Sequence, residues 1–253
     1  MIFLFWSIKK FNKLKSIKIM FEKNHGIIIA CDVSIDKLEE LVEKTYGIEG
    51  VVGYKIGANL AIEHGLREIA GKIKKYGLPV IYDHQKAGTD IPRMAEPFAK
   101  ACKNSGIDSV IIFPQAGPKS ELAFIEAIKN NGMIPMVGGE MTHEAYLIED
   151  GGFIKDDAPS MMYEIAAKNN VEYFIIPGNK TEAIKKYHLL LTNMINEPKY
   201  CMPGIGRQGG EIEKVFSILR GYNAYAIIGS AIYGSDDIEK AARKFAKEAM
   251  EFE

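Results

Sequence analysis

From about residue 26 onward, short apolar runs alternate with amphipathic stretches along the chain. The apolar runs occupy 27–31, 51–56, 78–82, 109–113, 133–137, 173–176, 200–202 and 226–228. They are rich in β-branched residues and nearly continuous, which predicts strands covered on both faces. The segments 35–44, 60–76, 94–103, 121–130, 161–169, 182–195, 211–220 and 238–250 carry apolar residues at helical spacing. Eight strand-then-helix units in succession predict an α/β chain folded as a parallel (β/α)8 TIM barrel. A doubly wound open sheet also alternates, but it uses fewer units and a glycine-rich turn after its first strand. Here that strand leads into Cys31-Asp32-Val33-Ser34, without glycine. No Pro/Ser-rich linker divides the chain, so residues 26–253 are read as one barrel domain and 1–25 as an N-terminal arm. The stretch 138–159 is too long for an ordinary connection and is read as functional or mobile. Gly151-Gly152 gives it a joint.

Composition narrows the partners. The 253 residues are 47% hydrophobic and 26% charged, with a net charge of −1. That is an ordinary soluble balance. No basic stripe points to nucleic acid, so any anion site must be local. Cys31, Cys102 and Cys201 are widely spaced and form no zinc set or CxxC pair, which fits a reducing, cytoplasmic setting. The arm is apolar for six residues and then basic. Its apolar run is too short to span a bilayer, and the order is wrong for a signal peptide, so no membrane partner is expected.

Candidate chemistry gathers where barrels place it, at the C-terminal ends of the strands. Asp32 ends the first run and Lys55 lies in the second. The third leads into Asp83-His84-Gln85-Lys86-Ala87-Gly88-Thr89-Asp90-Ile91-Pro92, in which two carboxylates flank one lysine. Two acids about 4 Å from an ammonium are each worth on the order of 4 kcal/mol at an effective dielectric near 20, so they would hold Lys86 protonated. Lys55 would keep the acids ionised. The fifth run leads into Glu140-Met141-Thr142-His143, and the eighth ends at Gly229-Ser230. The seventh leads into Pro203-Gly204-Ile205-Gly206-Arg207-Gln208-Gly209-Gly210. Four glycines there let backbone approach a ligand closely, and barrels commonly bind phosphate in the loops after strands seven and eight. Arg207 and Gln208 add side-chain donors. No histidine set has metal-ligand spacing.

Together these motifs resemble the orotidine 5′-phosphate decarboxylases, in the same order along roughly residues 26–250. The resemblance rests on Asp32, Lys55, the Asp83, Lys86, Asp90-Ile91-Pro92 segment, Glu140-Met141-Thr142-His143 and the glycine loop at 203–210. It implies decarboxylation of orotidine 5′-phosphate to uridine 5′-phosphate in pyrimidine biosynthesis, with no metal or cofactor. It gives Lys86 the roles of carbanion stabiliser and proton donor, and places Asp83 beside the departing carboxylate. Asp90 would come from the other subunit of a homodimer. Asp32 and Lys55 would touch the ribose, and Thr142 the pyrimidine edge. Gln208, Arg207, Gly209, Gly210, Gly229 and Ser230 would hold the phosphate.

Three departures stand out. Asp83 and Lys86 are three apart and Lys86 and Asp90 four apart, each one more than the family's spacing. Residues i and i+3 of a regular strand face opposite sides, so a bulge or an early strand end must re-aim Lys86. Ser230 stands where the family carries arginine, a charge that Arg207 could supply from the neighbouring loop. Met94 stands where the family has a threonine that reaches the partner's ribose. Two rival readings remain. One is a magnesium-dependent phosphosugar decarboxylase or aldolase of the same superfamily; the other is a non-catalytic barrel that binds a phosphorylated ligand.

Overall fold

The computed structural model describes residues 20–84 and 90–253. Eight strands close into a barrel in chain order, all parallel, with the last pairing back to the first. They are β1 (His25–Ala30), β2 (Val51–Ile56), β3 (Val80–Asp83), β4 (Ser109–Ile112), β5 (Ile134–Gly138), β6 (Tyr173–Ile175), β7 (Lys199–Met202) and β8 (Ala224–Ile228). The helices around them are α1 (Ile35–Thr45), α2 (Ala58–His64), α3 (Leu66–Lys74), α4 (Ala95–Asn104), α5 (Pro118–Asn130), α6 (Ala158–Lys168), α7 (Thr181–Thr192), α8 (Ile212–Ile218), α9 (Ser230–Tyr233) and α10 (Ile238–Met250). All eight expected strands form. The single helix expected over 60–76 is instead two, because Gly65 adopts φ +78 and ends α2. The stretch after β5 is ordered by a 3-10 turn at Ile148–Asp150 and a bridge between Leu147 and Ile154.

Two apolar cores explain why the strand runs are nearly continuous. Ile27, Ile29, Tyr54 and Ile56 face outward against the helices, while Ile28, Ala30, Val52 and Ile81 fill the barrel. Met20 and Phe21, within the expected arm, are buried in this interior cluster. The Phe21 ring lies 4.5 Å from Tyr225 and 5.8 Å from Tyr173 between centroids, and so closes the N-terminal end of the barrel.

Strand parity decides what reaches the opposite end. Val52 and Lys55 are three apart, yet Val52 fills the barrel and Lys55 lines a cavity at its mouth. The β1–β2 register slips there, with Ile27 opposite Val51 but Ile28 opposite Gly53. The slip absorbs one residue and turns Lys55 inward.

Candidate active site

At the C-terminal mouth a cavity of about 270 Å3 is lined by Asp32, Lys55, Asp83, Thr142, Arg207, Gln208, Gly229 and Ser230. Its apolar surface comes partly from Ile111, Ile175 and Ile227, residues of the strands themselves. Lys55 Nζ donates to Asp83 Oδ2 at 2.7 Å and lies 3.8 Å from Asp32 Oδ2. Lys55 and Asp83 are buried, so each would be costly alone; paired, they are tolerated. Burial disfavours the ammonium, but the fields of Asp83 and Asp32 outweigh it and raise Lys55 above the ordinary lysine value. Lys55 therefore stays charged. Gly57 makes room for this cluster, since a Cβ there would meet Asp32 Oδ1 at 2.6 Å.

Asp83 has capacity left over. Its Oδ1 is buried and has no hydrogen-bond partner among the described residues. Lys86, the residue expected beside it, lies outside the described residues, as does the chain from 85 to 89. The strand pairing runs past Asp83 by one residue before that segment. His84 N donates to Ile111 O at 3.2 Å, continuing the pairing with β4 for one residue beyond Asp83. Its ring stacks on Phe98 at 4.5 Å, and its Nδ1 sits 2.7 Å from the Tyr82 hydroxyl. Tyr82 and His84 thus share the helical side while Asp83 faces the cavity, and burial lowers the His84 pKa to about 4. His84 is a neutral packing residue.

The loop after β7 is held by its own backbone. Gly209 N donates to Gly206 O, and Gly210 N donates to Gly204 O, each at 3.0 Å. Gly209 and Gly210, expected as ligand donors, are occupied in shaping the turn, and neither lines the cavity. Arg207 and Gln208 do. Arg207 Nη2 donates to Gly234 O at 3.4 Å, so its guanidinium leans across α9, the helix that begins at Ser230.

Asp90 is exposed and outside this cavity. Its Oδ1 accepts from Ile91 N at 2.6 Å, and its carbonyl accepts from Ser120 Oγ at 2.7 Å. Ile91 and Met94 beside it are exposed apolar side chains.

Tyr233 on α9 also lines the cavity, a contribution the sequence reading missed. Burial, then the charge of Asp32, raise its phenol above the ordinary value, so it remains a donor. Its only signal was a tyrosine three residues beyond Ser230. The isoleucine lining could have been found from strand parity.

Among the described residues, no group of three or more His, Cys, Asp and Glu side chains could hold a metal ion. No described helix is long and apolar enough to cross a membrane. All three cysteines are buried, and burial raises each thiol, which leaves them as small apolar side chains.

The sequence model of the orotidine 5′-phosphate decarboxylase / HUMPS family matches residues 26–245. An orotidine 5′-phosphate decarboxylase of Methanocaldococcus jannaschii is 30% identical over 223 residues, 87% of this chain and 96% of that one. One from Methanococcus maripaludis is 29% identical over 220 residues, 87% of this chain and 94% of that one. The crystal structure of orotidine 5′-monophosphate decarboxylase from M. jannaschii complexed with inhibitor BMP superposes with a TM-score of 0.76 at 28% identity, over 88% of this chain and 98% of that one.

Proposed function

Since the chain belongs to the orotidine 5′-phosphate decarboxylase / HUMPS family, we propose that it converts orotidine 5′-phosphate to uridine 5′-phosphate and carbon dioxide, without a metal, in the cytoplasm. The observation that carries this reading is the Lys55–Asp83–Asp32 ion cluster in a cavity lined by isoleucines, with Arg207 and Gln208 also on its wall. A phosphorylated nucleotide fits that polarity. Its phosphate meets Arg207, Gln208, Gly229 and Ser230, its ribose meets Asp32 and Lys55, and its pyrimidine edge meets Thr142. Gly209 and Gly210 shape the phosphate loop.

Chemically, the bond from the ring to its carboxylate carbon breaks, carbon dioxide leaves, and the electron pair stays on the ring carbon. Lys86 stabilises that carbanion and gives it a proton. The open Oδ1 of Asp83 supports a second ammonium beside the first. A substrate carboxylate placed next to Asp83 also has a like charge for a neighbour, and that repulsion is relieved as carbon dioxide departs. Charges fixed before reaction favour the state in which negative charge develops on the ring.

Asp90 acts from the second copy of a homodimer. Its outward presentation, held by Ser120 and bordered by exposed Ile91 and Met94, supports that placement.

The direct test is ultraviolet loss of orotidine 5′-phosphate with EDTA present. The expected result is turnover that EDTA leaves unchanged and that Lys86→Ala lowers by about 1,000-fold or more. Normal turnover by Lys86→Ala would remove Lys86 from its role. Activity only on a phosphosugar with magnesium would move the chain to the other branch of its family.

A further inference from the structure

The β6–α7 turn supplies little of the cavity wall, yet its side chains reach back into the loop after β5. Glu140, two residues before Thr142, is buried. Its Oε1 accepts from Lys180 Nζ at 2.9 Å, and its Oε2 accepts from Tyr187 OH at 2.5 Å. Tyr187 is fully buried on α7, and Lys180 stands at that helix's N-terminal boundary. Next to Lys180, Asn179 Nδ2 donates to the carbonyl of Thr142 at 3.0 Å. The same asparagine abuts the β7 loop, where a Cβ on Gly204 would lie 3.0 Å from both Asn179 Oδ1 and Thr142 Cγ2. Three successive loops of the mouth are therefore clasped together.

A buried carboxylate is a poor choice for packing alone. An apolar side chain of similar size would avoid the desolvation cost. What the carboxylate adds is direction: two donors on separate elements fix both of its oxygens, and with them the backbone leading to Thr142. Burial and the hydrogen bond to Glu140 raise the Tyr187 phenol, so it remains the donor.

We propose that Glu140, tied to Lys180 and Tyr187, is a positioning residue that sets Thr142 against the base of the bound nucleotide. It touches no substrate itself. This rests on the nucleotide reading above and deepens it, by assigning the preference for a base to a buried charge cluster behind the wall.

The experiment compares binding of uridine 5′-phosphate and ribose 5-phosphate, by calorimetry, to wild type, Glu140→Gln and Tyr187→Phe. Wild type should prefer the nucleotide. Each variant should bind uridine 5′-phosphate ~10-fold more weakly, the cost of one misplaced hydrogen bond, and ribose 5-phosphate unchanged. A variant that retains the full preference overturns the proposal. So does an equal loss for both ligands, which marks general loosening. Tyr187→Phe removes only a hydroxyl and serves if Glu140→Gln does not fold. A wild-type protein without preference for the nucleotide instead removes the nucleotide reading itself, which separates the two failures.

Discussion

Lys55 and Asp83 are joined by a 2.7 Å hydrogen bond across adjacent strands, although 28 residues separate them in the chain. The contact needs two strands in register and a slip in one of them, and a second acid, Asp32, adds its field to hold the lysine charged. Its buried position makes it both a stability element and part of the site.

Replacing Lys55 by Met should show both roles. Breaking a buried pair leaves Asp83 uncompensated, at a cost of about 3–5 kcal/mol to folding. Decarboxylation should fall by ~1,000-fold. The pH dependence has a definite sign. Lys55 has a folded value above its ordinary 10.5, so its contribution is complete below 10.5 and is lost only as pH rises through the higher folded value. Urea denaturation of wild type and variant should give a difference that does not shrink as pH rises from 6 to 9, since the uncompensated Asp83 of the variant can only add to it as it ionises. A difference that shrinks as pH rises within that range would exclude a raised Lys55.

Gly57→Ala tests the same cluster by crowding alone, because Gly57 has a φ of −86 that alanine also adopts. The added Cβ would sit 2.6 Å from Asp32 Oδ1 and displace it. Misplacement on this scale should lower kcat/KM by ~10- to 100-fold. Thermal unfolding should change less than for Lys55→Met. Unaltered kinetics would show that Asp32 need not hold its position.

Arg207→Ala should raise KM by ~10- to 100-fold, since a hydrogen bond to a charged group contributes about 1.5–3 kcal/mol. Adding Ser230→Arg in that background should recover part of the loss, as both positions line the same cavity. Steady-state kinetics on the single and double variants decide this. An Arg207→Ala enzyme with unchanged KM would assign the phosphate to other groups.

Glu121, in the first turn of α5, shares the sign of the Lys55 pH dependence but enters as a penalty, so removing it should stabilise rather than destabilise. It is buried with Oε1 unpartnered, and burial pushes its pKa from 4.5 up to about 8. The folded state therefore binds this proton more tightly than the unfolded chain. Its penalty should grow as pH rises from about 4.5 to about 8 and then level off, at a few kcal/mol. Glu121→Gln should be progressively more stable than wild type across that window by denaturant titration. A difference independent of pH would mean that Glu121 ionises freely in the folded protein.

Much of the architecture was readable because it rests on local pattern. Continuous apolar runs such as Ile27–Ile29 mark strands covered on both faces, and their number and spacing imply closure. The positions of Asp32, Thr142, Arg207, Gln208 and Ser230 at one mouth follow from strand-end placement alone. What resisted prediction is register. The slip that turns Lys55 inward depends on how β2 meets β1, and no residue type announces it. The break at Gly65 was open to view but lost within a longer amphipathic stretch. The clasp of Glu140 by Lys180 and Tyr187 joins residues 40 and 47 positions apart, so only the folded chain brings them together.

Phe21, wedged between Tyr173 and Tyr225, makes the barrel a vessel with a stopper at its foot. Nucleotide entry and the escape of both products must then share one doorway. Product still in the cavity would therefore stand in the path of the next nucleotide.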